Sequence, residues 1–263
     1  MMLLRVFVNE FYFKGGIFME LSKTNHIPLY IQLKEIIENK IETGIWEPGD
    51  KIPSESILGD KYEVSRTTVR LAIKELINEE KLKSEQGKGT YVFKPKMDQT
   101  LPHLTSFTED IKQKGLKPGA EVIEFKECYP DKNISEKLEI EKDDKVIILK
   151  RLRTANDESV GIHVSYLNSN IIDISKLKEK DLSASLYNIL EKDFNLKITE
   201  ANETIEAISS NRKQSELLNI DEGSPLLYLQ RVTKMKEKPI EYVKVFYKAD
   251  RYKYSINLTR NKN

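Results

Sequence analysis

The sequence predicts an α+β chain of two units: a helical unit closed by a short hairpin, then a larger unit built on an antiparallel sheet. Three observations carry that prediction. Apolar residues recur at helical spacing as far as Leu76, two short extended runs meet around Gly87-Lys88-Gly89, and the strand-rich segment 134–167 returns at 214–247.

Residues 1–18 are set aside from the fold. The stretch is too short and too polar for a membrane span and lacks a small-residue cleavage site. Lys14-Gly15-Gly16 shortly before Met19 reads like a ribosome-binding site translated in frame, so the expectation is a native start at Met19 and a poorly ordered, non-native extension before it. From Pro28 to Glu42, Leu29, Leu33, Ile36, Ile37 and Ile41 share one helical face, with Pro at the start and Gly44 as the stop. Glu47–Asp50 is a turn, Ser54 caps a shorter helix through Tyr62, and Glu63–Val64 is a brief turn. The next helix, capped by Ser65, buries Val69, Ala72, Ile73 and Leu76 and leaves Arg66, Thr67, Thr68 and Arg70 on its outer side near the N-terminus. Helix, turn, helix in this order is the arrangement that places the last helix in a DNA major groove. The hairpin that follows, with Gly87, Lys88 and Gly89 at its tip, is a wing able to approach the minor groove closely. An amphipathic surface helix remains the alternative for residues 63–76 taken alone, and an ion pair with Glu63 or Glu75 the alternative for Arg70.

Charge supports that orientation only modestly. Residues 20–94 carry 12 Lys and Arg against 13 Asp and Glu, whereas residues 65–94 carry 7 against 4. Residues 95–103, with Pro95 and Pro102 and no periodicity, read as the linker between a unit at 20–94 and one at 104–260. In the second unit Ser135/Ser215, Glu136/Glu216, Leu138/Leu218, Ile140/Ile220, Leu149/Leu229 and Arg151/Arg231 coincide without a gap. Each copy reads helix, turn, strand, polar hairpin, strand, preceded by a strand at 122–127 and, with the register shifted by two, at 204–209. Two such copies pair into one sheet with a pseudo-twofold relation, and a ligand pocket is expected between them.

Composition excludes several classes. A net charge of +1 gives no general polyanion coat, and the single Cys128 rules out an intrachain disulfide and points to a cytoplasmic protein. Cys128 itself reads as a small buried or half-buried side chain. His26, His103 and His163 lack metal-ligand spacing, and no nucleophile elbow or phosphate-binding glycine loop is present, so no cofactor, metal or catalytic residue is expected. Arg151 and Arg153, two apart on a strand, face one side and form an anion cradle; a surface ion pair is the plainer alternative.

With "PLYIQLKEIIENKIETGIWEPGDKIPSE", "VSRTTVRLAIKEL" and "QGKGTYV", the first unit resembles the winged helix-turn-helix of GntR-type bacterial transcription regulators. "LTSFTEDIKQKG", "RLR", "SYL", "SLYNIL", "ETIEA" and "DRYKY" make the second resemble the UTRA effector-binding domain of the HutC branch, a chorismate-lyase-like fold. The resemblance covers residues 27–258. It implies that Arg66 reads guanine, that Ser65, Thr67, Thr68 and Arg70 hold phosphates, and that Gly87, with Lys88 and Gly89, lies at the minor groove. It implies that Phe107, Thr108, Arg151, Arg153 and Ser185 gather on a phosphate, with a tyrosine near Tyr247 closing the pocket. His163 stands where the family commonly has glutamate; a strand histidine bonded to its neighbours is the plainer reading. Ser56 and Ile57 replace the usual DNA-contacting Arg and Glu, Gly59 replaces an alanine, and Glu80 replaces a glycine before the wing. The expected protein is a homodimeric, ligand-responsive repressor with a palindromic operator and a small anionic effector. The alternative is a chorismate-lyase-like enzyme acting on a small carboxylate.

Overall fold

The structure, a computed structural model, describes residues 20–24, 26–101 and 104–258. Residues 1–18 and His103 lie outside the described residues, and so do the expectations placed on them. The chain divides between Pro95 and Lys96 into two compact units.

In the first unit, α1 (Leu29–Glu42), α2 (Glu55–Tyr62) and α3 (Arg66–Asn78) are followed by β1 (Leu82–Glu85) and β2 (Gly89–Val92). The apolar stripes close on one core: Leu33 and Ile37 from α1, Leu58 from α2, and Val69, Ala72, Ile73 and Leu76 from α3, with Leu82 and Val92 beneath them. Ser54 and Ser65 cap their helices as the sequence predicts, accepting from the amides of Ile57 at 3.4 Å and Thr68 at 3.1 Å. Glu63 ends α2 in the left-handed region at φ 51°, which turns the chain sharply enough for α3 to begin three residues later. Strands β1 and β2 pair from Leu82↔Val92 to Glu85↔Gly89, leaving residues 86–88 as the loop.

The second unit begins with a strand where a linker was expected. Residues 97–101 form β3 (Met97–Leu101), paired in parallel with the last strand, β10 (Tyr252–Ile256). The sequence hides this because β3 finds its partner only at the far end of the chain. Between them run α4 (Phe107–Gln113), β4 (Pro118–Cys128), α5 (Lys132–Leu138), β5 (Val146–Ala155), β6 (Glu158–Asn168), α6 (Ile174–Lys178), α7 (Leu186–Asp193), β7 (Glu200–Ser209), α8 (Arg212–Leu218), β8 (Pro225–Met235) and β9 (Lys238–Lys248). Six of these strands form one antiparallel sheet in the order β4-β5-β6-β9-β8-β7.

The repeat is therefore a structural duplication, and its axis can be located. Strands β6 and β9 meet at the centre, where Val164 pairs with Lys244, its own equivalent 80 residues on. The edge strands correct the shift of two read from the sequence. Glu124 pairs with Lys150 and Thr204 with Gln230, so the offset of 80 holds there, and a bulge between Val122 and Glu124 adds one residue before it. Helices α5 and α8 cover the back of the sheet, where Leu138 packs with Val146 and Tyr242, and Leu218 with Ile162 and Leu226. The front carries α4, α7 and the β3–β10 ribbon.

Candidate effector cavity and DNA-reading helix

The front of the sheet is not filled at its centre. Alternation along the strands aims Arg151 and Arg153 of β5, His163 and Ser165 of β6, Glu241, Val243, Val245 and Tyr247 of β9, and Leu229 and Arg231 of β8 toward one cavity. The start of α4 and the start of α7 close it from above, and Gln99 and Tyr254 of the ribbon complete the wall. Its empty space, mouth and adjoining solvent included, is about 530 Å³.

All seven residues expected at the effector line this cavity: Phe107, Thr108, Arg151, Arg153, His163, Ser185 and Tyr247. Arg151 and Arg153 are 5% and 2% exposed, so the surface-ion-pair alternative is excluded. Arg151 donates from Nη1 to the carbonyls of Leu182 at 3.2 Å and Ala184 at 3.0 Å. Arg153 donates from Nη2 to Thr108 Oγ1 at 3.2 Å and lies 4.3 Å above the Phe107 ring. A hydroxyl that accepts from a guanidinium keeps its own proton for a further acceptor. Arg151 Nε, Arg153 Nε and Arg153 Nη1 are buried without a partner. Burial pulls the Arg151 guanidinium down to about 10, and burial together with Arg151 pulls Arg153 down to about 9. Both remain cations at neutral pH.

His163 lies directly across from Arg151. Its Nε2 is 3.1 Å from the Tyr247 hydroxyl, and its ring stands edge-on between Phe107 and Tyr247. Burial, reinforced by Arg153, Arg151 and Arg231, pushes its pKa well below the ordinary value, so the ring is neutral. Burial raises the Tyr247 phenol, which stays protonated beside the neutral ring. The plain reading of His163, a strand histidine bonded to a neighbour, holds together with its place in the cavity wall. Ser185 caps α7, accepting from the Asn188 amide at 3.4 Å.

Several cavity residues were not anticipated. Tyr187 donates to Thr233 Oγ1 at 3.0 Å, which in turn donates to Glu241 Oε2 at 3.3 Å; burial, helped by Glu241, raises Tyr187 to about 12. Asp110, raised by burial, accepts from the Thr105 hydroxyl at 2.5 Å. Arg231 is bonded to Glu203. Only Arg231 had a signal in the sequence, its alignment with Arg151. No group of three or more His, Cys, Asp or Glu side chains suited to a metal occurs among the described residues.

In the first unit, Ser65, Arg66, Thr67 and Arg70 are exposed and Thr68 half-buried at the N-terminal end of α3. Ser65 and Thr68 hydroxyls lie 2.8 Å apart, and Arg66 Nη2 reaches Ser56 Oγ at 3.5 Å. The ion-pair alternative for Arg70 loses one candidate, since Glu63 is paired with Lys23 at 3.0 Å. Ile57, on α2, is 56% exposed. Gly87, at φ 73°, turns the wing tip beside Lys88, and Gly89 at φ 130° opens the returning strand.

A winged helix-turn-helix joined to a sheet domain with a polar cavity on its face defines a transcription regulator. The family model for bacterial regulatory proteins, gntR family, matches residues 29–92, and that for the UTRA domain matches residues 113–253. The chain belongs to the GntR family, in the HutC branch that carries a UTRA domain. It is 31% identical over 237 residues to the HTH-type transcriptional repressor NagR of Bacillus subtilis (strain 168), covering 90% of this chain and 97% of that protein. It is 28% identical over 232 residues to the mannosyl-D-glycerate transport/metabolism system repressor MngR of Escherichia coli (strain K12), covering 88% and 96%. The crystal structure of PhnF from Mycobacterium smegmatis shares the fold, with a TM-score of 0.64 at 24% identity over 87% of this chain and 100% of that one. No helix among the described residues is long and apolar enough to cross a membrane.

Proposed function

We propose that this regulator is a repressor that binds a palindromic operator as a homodimer and is released by a small anionic metabolite, a phosphorylated sugar or amino sugar before a carboxylate. One observation carries the choice of ligand: two buried guanidinium groups face the cavity with N–H donors that no protein atom accepts. A buried donor left unpaired costs about 1–3 kcal/mol. A phosphate, with three acceptor oxygens, satisfies Arg151 Nε, Arg153 Nε and Nη1 and the Thr108 hydroxyl together, whereas a carboxylate leaves some unpaired. NagR and MngR, named as repressors, support the direction of control, and MngR's named system supports a sugar derivative.

At the other end, Arg66 is the guanine reader and Ser65, Thr67, Thr68 and Arg70 the phosphate contacts, with Gly87, Lys88 and Gly89 at the minor groove. Release requires that the ligand bind the operator-incompatible geometry more tightly, since equal affinity shifts nothing. The test is a thermal-shift screen of sugar phosphates against their unphosphorylated parents, with release of a labelled operator duplex as the second readout. Phosphates are expected to raise Tm and release the duplex. Parents that stabilise equally well sink the anion cradle.

A further inference from the structure

The duplication is longer than the sequence comparison shows. Helix α4 and strand β4 stand before the first copy as α7 and β7 stand before the second, and serine caps both helices, Ser106 for α4 and Ser185 for α7. The arginine at the same place in each copy reaches across to the other copy's cap. Arg151 donates to the carbonyl of Ala184, just before Ser185, and Arg231 donates to the carbonyl of Thr105, just before Ser106, at 3.4 Å. The cavity thus has two halves built on one plan.

The plan breaks at one position on the edge strands. The register sets Val122 opposite Arg151 and Glu203 opposite Arg231, and directly opposed residues share a face of the sheet. Arg231 Nε holds Glu203 Oε2 at 2.5 Å, both side chains only 15% exposed. Arg151 Nε, in the equivalent place, is buried with no acceptor, and Val122 is 39% exposed. One arginine has a carboxylate across the strand; its twin has two methyl groups.

We propose that Glu203 is an internal counter-anion that fills one of two anion positions in a duplicated cavity, leaving the Arg151 position for the single acidic group of the effector. The inference rests on the reading that Arg151 and Arg153 take that group. It narrows the ligand class. The Arg231 half carries the carboxyl groups of Glu203 and Asp110, which repel a second anion and accept from hydroxyl or amino groups. The effector is a monophosphate ester or monocarboxylate of a polyol or amino polyol; bisphosphates and dicarboxylates are excluded.

Inorganic phosphate bound per chain, counted by equilibrium dialysis on the full-length protein, tests this. Wild type is expected to bind one, Glu203→Gln two, and Val122→Glu none, or one at least tenfold more weakly, because the new carboxylate takes the place of the ligand. Val122→Glu binding like wild type, or folded Glu203→Gln binding only one, overturns the proposal. If Glu203→Gln fails to fold, Val122→Glu decides alone, since its position is exposed. Wild type that binds no phosphate overturns the cradle reading itself, a different failure from wild-type binding that Val122→Glu leaves intact. Hexose 1,6-bisphosphate bound by wild type as tightly as hexose 6-phosphate also overturns the proposal; a tenfold or greater preference for the monophosphate supports it.

Discussion

Arg151 and Arg153 are adjacent on one face of a strand, yet their surroundings assign them different work. Arg151 satisfies two carbonyls in the turn before α7, so its removal strips the fold of partners as well as the cavity of charge. Arg153 touches only a hydroxyl and a ring and keeps two N–H groups unpartnered, beside another cation that burial already disfavours. It is the cleaner probe of the site. Replacing a buried, incompletely satisfied charge with an apolar side chain of similar volume is commonly neutral or stabilising. Arg153→Met is therefore expected to raise the stability of the ligand-free protein by about 1–2 kcal/mol, the relief of unpaired donors exceeding the lost ring contact. The same variant is expected to lose the thermal response to sugar phosphates. Calorimetry with and without ligand reads both effects, and a variant that is less stable yet still responsive contradicts the assignment.

Helix ends decide the geometry of the reading head. Helix α3 closes with the amide of Lys81 on the Leu76 carbonyl at 2.8 Å and that of Glu80 on the Ile77 carbonyl at 3.0 Å, the paired bonds of a Schellman ending. That ending puts Glu80 at φ 55°. A left-handed residue with a Cβ costs about 1–2 kcal/mol, part of which glycine returns through its greater freedom in the unfolded chain. Glu80→Gly is expected to stabilise the DNA-binding unit by about 0.5–1 kcal/mol, read as a higher denaturant midpoint at unchanged slope. Gly59 in α2 presents the opposite case. A Cβ there meets the Val64 carbonyl at 3.2 Å, so the turn into α3 opposes the roughly 1 kcal/mol that alanine contributes to helix propensity.

Across the whole molecule, the two compact units, divided between Pro95 and Lys96, give the dimer proposal a direct test. A palindromic operator needs two reading heads. A fragment ending at Val92 is expected to be monomeric at micromolar concentration and one beginning at Lys96 dimeric, by sedimentation. The reverse assignment moves the interface to the DNA-binding unit and removes the effector domain from its control.

Sequence alone determined whatever is set by local periodicity and capping. The stripe from Val69 to Leu76, the caps Ser54 and Ser65, the wing around Gly87 and the pairing of Arg151 with Arg153 on one face follow from spacing along the chain, because helix and strand fix where nearby side chains point. The repeat at an offset of 80 carried that legibility to the sheet and its central pair. Tertiary structure decided what depends on partners distant in sequence. Strand β3 takes its pairing from β10, the edge strands take their register from a bulge, and Arg231 becomes a cavity residue only when β8 lies beside β9. The contrast between Arg151 and Arg231 belongs there too. A carboxylate opposite one and a valine opposite the other are set by cross-strand register, which arises only when strands pair.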